Sequence, residues 1–136
     1  MKCPFAALLA AGVGRCPKAV EVVRRGGSEY DCSEAVAWQR CVPLQQHLLT
    51  LGLAALGHVD DLGATPKSVY DRVMLGGLCG IAELLPDEPR PAVDGDIGGL
   101  VEAAYARFQE PRLLPADSLV RSIEQTQLPR RRNSRR

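Results

Sequence analysis

Aromatic side chains are scarce: Trp, Tyr and Phe together make up 4% of the 136 residues. A core built on stacked rings is therefore excluded, and Leu, Val and Ala must fill it. No apolar stretch is long enough to cross a bilayer. Phe5 to Val13 is apolar but short, with a single Lys2 before it, and no small-residue cleavage site or lipobox-type pattern precedes Cys16. No signal peptide is read. Five cysteines without a signal sequence lead us to expect a cytoplasmic, reducing setting, where free thiols or metal ligation replace disulfides.

Catalytic motifs are also missing. Gly26-Gly27, Gly76-Gly77 and Gly98-Gly99 fit neither a P-loop nor a dinucleotide fingerprint. No serine elbow and no His/Asp/Ser arrangement of familiar spacing occurs, so no independent catalytic activity is expected. Asp94-Gly95-Asp96 lacks the spacing and closing Glu of a calcium loop and reads as turn and helix cap. Asp60-Asp61 reads as a turn. His47 and His58, 11 residues apart, would fall near one face of a long helix, but Gly57 breaks that geometry before His58, so both are read as solvated or helix-capping residues.

What is present is helix-forming. Hydrophobic residues reach 46%, Ala and Leu dominate them, and β-branched runs are few. The expected fold is all-α, a compact bundle of five to seven short helices with a disordered basic C-terminal tail. Helices are expected over about Pro4–Val13, Pro17–Arg25, Ser33 to a break near Pro43, and Pro43–Leu56. Others are expected from Thr65-Pro66 through a kink at Gly76-Gly77 to Leu85, over Ile97–Phe108 capped by Asp94 or Asp96, and from Ala116 or Asp117 to about Gln127. Residues 1–129 form one domain, with a cysteine-bearing part over 1–58 and a helical remainder over 59–129. Pro86–Pro91 is a stiff linker.

Charge is uneven although the net is +1. Residues 130–136 hold five arginines, residues 59–129 hold 12 acidic and six basic residues, and residues 1–58 hold six basic and four acidic. The Arg130–Arg136 tail could contact nucleic-acid phosphates, but it lacks interleaved aromatics, so a solubilising end is favoured. Arg131 three residues before Ser134 also matches a basic kinase site.

Four of the five cysteines, Cys3, Cys16, Cys32 and Cys41, fall in the first 41 residues. Each precedes an expected helix start: Cys3-Pro4, Cys16-Pro17, Cys32-Ser33-Glu34 and Cys41-Val42-Pro43. Proline favours the first helical position, and a cysteine before it faces free N–H groups that stabilise a thiolate. The leading expectation is a [4Fe–4S] cluster held by these four, with Arg24, Arg25 and Ser28 as hydrogen-bond donors around it. Structural zinc is the alternative, although its usual closely paired cysteines are absent. Cys79, in an apolar helix, is expected to be core. The function expected is a small iron–sulfur protein for electron transfer, or an accessory to a larger redox enzyme, with a redox enzyme or electron carrier as partner and no membrane. The competing readings are a metal-free helical adaptor and a thiol redox sensor.

Overall fold

A computed structural model describes residues 1–58, 65–87 and 95–128. The expected loop at 59–64, most of the Pro86–Pro91 linker, Asp94 and the arginine tail lie outside the described residues. The order of elements is α1 (Ala6–Ala10), β1 (Ala19–Arg24), β2 (Gly27–Cys32), α2 (Ala35–Ala55), α3 (Lys67–Leu84), α4 (Ile97–Phe108), a 3-10 turn at Pro111–Leu113 and α5 (Ala116–Gln125).

The all-α expectation is corrected by the hairpin. The chain is mostly helical, but Ala19–Arg24 pairs antiparallel with Gly27–Cys32, from Ala19 opposite Cys32 to Arg24 opposite Gly27. Val20, Val22 and Val23 suit an extended backbone better than a helix. Arg25-Gly26 then forms a two-residue turn, and Gly27 takes a φ of 115° that a side chain would resist. Arg24 closes the pairing from the edge, bonding Glu29 at 2.9 Å and Asp31 at 2.8 Å. The N-terminal segment lies alongside β2: Cys3 N–H donates to Tyr30 O, Cys32 N–H donates to Met1 O, and Lys2 bridges Asp31.

The break expected at Pro43 does not occur. Helix α2 runs continuously through Pro43, which lies on an exposed side. The helix forgoes one backbone bond there, while Leu44, Leu48 and Leu53 on its buried side hold it to the core. Helix α3 is likewise continuous through Gly76-Gly77, and it forms the centre of the core with Val73, Leu78 and Ile81 fully buried. Its glycines permit close packing. A Cβ at Gly76 would lie 2.6 Å from Ile123 Cα of α5, and one at Gly77 would lie 2.6 Å from Leu48 Cδ2 of α2. Ser122 Oγ donates to Gly76 O at 2.7 Å across the first of these contacts.

Helix α4 has the expected bounds, and Asp96 caps it by accepting from Gly99 N–H at 2.9 Å. Thr65 does not cap α3, whose cap is Pro66; the Thr65 hydroxyl is buried with no hydrogen-bond partner. No described helix is long and apolar enough to cross a membrane.

Candidate functional site

Three elements and two connecting segments bring the four N-terminal cysteines to one place. Cys3 enters on the segment beside β2. Its flanks are fixed by α2: Trp38 Nε1 donates to Lys2 O at 2.9 Å, and Gln45 Nε2 donates to Pro4 O at 2.8 Å. Cys16 follows Arg15, whose backbone pairs with the start of α4: Arg15 N–H donates to Gly95 O and Ile97 N–H to Arg15 O, both at 2.8 Å. Cys32 ends β2, and its thiol donates to Glu34 O at 3.2 Å. Cys41 comes from the second turn of α2.

All four line a single narrow pocket with Phe5, Leu9, Ala19, Ala37, Ile97 and Val101 as its apolar walls. The free space left between them is about 20 Å³, room for one water. Gly98 forms part of the wall because Cys16 needs the space: a Cβ at Gly98 would meet Cys16 Sγ at 2.7 Å. The walls include the first residues of α4 (Ile97, Gly98) and the residues leading into α1 (Pro4, Phe5).

Lys18 and Glu102 are the two charged side chains among the lining residues. Lys18 Nζ lies 3.7 Å from both Glu34 Oε1 and Glu102 Oε2. Glu102 also pairs with Arg40, whose guanidinium stacks 5.6 Å above the Tyr105 ring and whose carbonyl accepts from the Tyr105 hydroxyl. Ser33 clamps the Lys18 backbone, its N–H and hydroxyl both donating to Lys18 O at 2.8 Å.

Two expectations about the site are corrected. The cysteines do not share a helix-start position: Cys16 precedes a strand and Cys41 lies within α2. Nor are the free thiols all tuned toward thiolate. Burial pushes Cys3 up to about 11 and Cys41 up to about 12, and the neighbouring cysteines add to both. Arg24 and Arg25 are not pocket residues; Arg24 is engaged with Glu29 and Asp31 and holds the Asp31 carboxyl below its usual range, and Arg25 is exposed in the hairpin turn. The backbone of Ser28 pairs with Val23, and its side chain lies outside the description.

Cys79 is on α3 and does not line the pocket; it packs against the hydrophobic core. His58 lines a separate groove with Leu49, Leu53 and Tyr70, and His47 is half-buried on α2. Sequence reasoning missed Lys18, Gly98 and Glu102. Gly98-Gly99 was the visible signal, a small-residue pair opening a helix, but only the fold shows which sulfur it admits.

A zinc ion held by thiolates at about 2.3 Å places neighbouring sulfurs about 3.8 Å apart. Among the described residues, no group of three or more His, Cys, Asp or Glu side chains is arranged to hold a metal ion. No protein-family model matches this chain, and neither a curated protein nor a solved structure is significantly similar to it.

Proposed function

We propose that the protein binds an iron–sulfur cluster through Cys3, Cys16, Cys32 and Cys41, and serves in electron transfer or as an accessory to a larger redox enzyme. The observation that carries this reading is that four cysteines spread over 39 residues line one apolar pocket. Four thiols from separate chain directions are the donor set of a [4Fe–4S] centre, and the half-buried cysteines stand among apolar side chains. When bound, such a cluster supplies a one-electron redox couple. The cysteines ligate it, the apolar walls exclude water, and Gly98 lets Cys16 reach inward past the first turn of α4. Cys3, Cys16, Cys32 and Cys41 would have to give up their thiol protons to hold such a cluster.

The test is iron, acid-labile sulfide and zinc analysis, with a visible spectrum, on protein purified without oxygen. About four irons and four sulfides per chain, the content of this cluster type, with broad visible absorption, support the reading. Stoichiometric zinc makes the same pocket a structural clamp. Five titratable thiols and no metal remove the reading and leave a metal-free helical adaptor.

A further inference from the structure

Strand β1 leaves one edge of the hairpin open. The two-residue turn at Arg25-Gly26 closes on a bonded pair, Arg24 with Gly27. Bonded pairs recur at every second residue, so Val22 and Val20 also aim their backbone groups at β2. Ser33 N–H donating to Lys18 O continues the same alternation. Ala19, Glu21 and Val23 therefore turn their N–H and C=O groups away from β2. On the far side of β2 the outward groups are taken: Tyr30 O accepts from Cys3 N–H, and Cys32 N–H donates to Met1 O. On the β1 side, Ala19 N–H donates to Cys16 O, but the outward groups of Glu21 and Val23 have no backbone partner among the described residues. The strand carries no proline and no bulge of the kind that blunts an edge. Val23 is 80% exposed and Val20 50%. Glu21 and Arg25 are exposed charges with no ion-pair partner among the described residues.

We infer that β1 pairs antiparallel with β1 of a second copy of this chain, so that two hairpins form one continuous sheet. The inference does not depend on what the thiol pocket holds. The edge is self-complementary in one register. With Val22 on the two-fold axis, Glu21 of each copy exchanges both backbone bonds with Val23 of the other. Arg25 of the second copy is then the diagonal neighbour of Glu21 on the same face, within reach of long side chains. Val20 falls opposite the Arg24 stem. A slip of two residues one way sets Glu21 against Glu21 and needs the Ala19 N–H that Cys16 O already holds. A slip the other way asks the turn residue Arg25 to pair. One short strand per copy makes a small interface, so the dimer is weak and depends on concentration.

The experiment is analytical ultracentrifugation of the full chain, kept reduced, over a wide range of protein concentration. Amide hydrogen exchange is followed by nuclear magnetic resonance on the same samples. The expected result is a reversible monomer–dimer equilibrium, in which the Glu21 and Val23 amides slow as concentration rises. The Val20 and Val22 amides, already bonded to β2, should not change. Val23→Pro removes an outward donor and no bond to β2, and should abolish association while circular dichroism is kept. Glu21→Arg and Arg25→Glu should each weaken association about tenfold, and the double variant should restore it. A chain that stays monomeric at every concentration overturns the inference, as does a dimer that Val23→Pro leaves intact. If Val23→Pro does not fold, the charge exchange decides alone: a double variant that associates no better than the single ones overturns the pairing.

Discussion

The sulfur of Cys16 occupies the space where a side chain at Gly98 would begin, with only 2.7 Å between Cys16 Sγ and an ideal Cβ at that position. Gly98 is buried in the first turn of α4, and Cys16 is held to that turn by the Arg15 backbone bonds. A methyl group at Gly98 must therefore push the sulfur, the helix or both. Gly98→Ala should cost about 1–3 kcal/mol through overpacking and lower iron content while far-ultraviolet circular dichroism is kept. Gly26→Ala, with nothing within 4 Å of its added Cβ, is the control and should load normally. Full iron content in Gly98→Ala would show that Cys16 is not needed where it lies.

Single replacements of Cys3, Cys16, Cys32 or Cys41 by Ala should each abolish or strongly reduce iron and sulfide content. Cys79→Ala, away from the pocket on α3, should retain both. Equal retention in all five variants would count against a four-thiol centre.

Helix α3 should be intolerant of volume where it meets its neighbours. Alanine normally favours a helix interior over glycine by up to about 1 kcal/mol. At Gly76 the added methyl would face the Ile123 backbone at 2.6 Å, which cannot rotate aside. Gly76→Ala should therefore destabilise by about 1–3 kcal/mol, read as a lower urea midpoint. A raised midpoint would mean that α5 shifts freely.

The metal-free protein should weaken in alkali. Burial raises Cys3 to about 11 and Cys41 to about 12 from an ordinary value of 9.0. A group raised on folding contributes stability in full below its unfolded pKa and loses it as pH rises through the folded one. The contribution of these two thiols is thus complete below about pH 9 and fades toward pH 11 and 12. Urea melts of reduced, metal-free protein should show a steeper alkaline loss than those of the Cys3→Ala/Cys41→Ala double variant. Parallel pH profiles for the two would contradict the burial argument.

Loss of the α4 cap should be modest and local. Asp96→Ala leaves Gly99 N–H without its carboxylate acceptor and should cost about 0.5–2 kcal/mol. Asn at this position should restore most of it in thermal melts.

Much of the helical framework was legible because local chemistry and periodicity agreed. At Ile97–Phe108 an Asp cap, an apolar stripe and a following proline all point to one helix, and the bounds match. At Pro17–Arg25 they conflicted. Val20 and Val23 fit a helical stripe as well as a strand, Cys-Pro resembles a helix start, and Gly26-Gly27 serves as helix stop or hairpin turn. The contact that decides is Cys3 with Tyr30, which brings a third segment to the strand pair and cannot be read locally. Pro43 misled for a related reason: a proline's local cost is fixed, while the burial of Leu44 and Leu48 that outweighs it belongs to the assembled core. The cysteine set was visible from its density in the sequence. The charges beside it, Lys18 and Glu102, were hidden because they lie far apart along the chain and meet only when α4 lies against the segment leading into β1.

The wall formed by Ile97, Gly98 and Val101 has a further consequence, in the order of synthesis. A ribosome adds about 5–20 residues per second. All four cysteines therefore emerge seconds before the part of α4 that covers them exists. During that interval the thiols are on an incomplete chain, open to oxidants and to stray metal ions. The pocket is thus complete only once the C-terminal half exists, and a nascent chain stalled before Ile97 would be the form whose thiols are most exposed to wrong pairing.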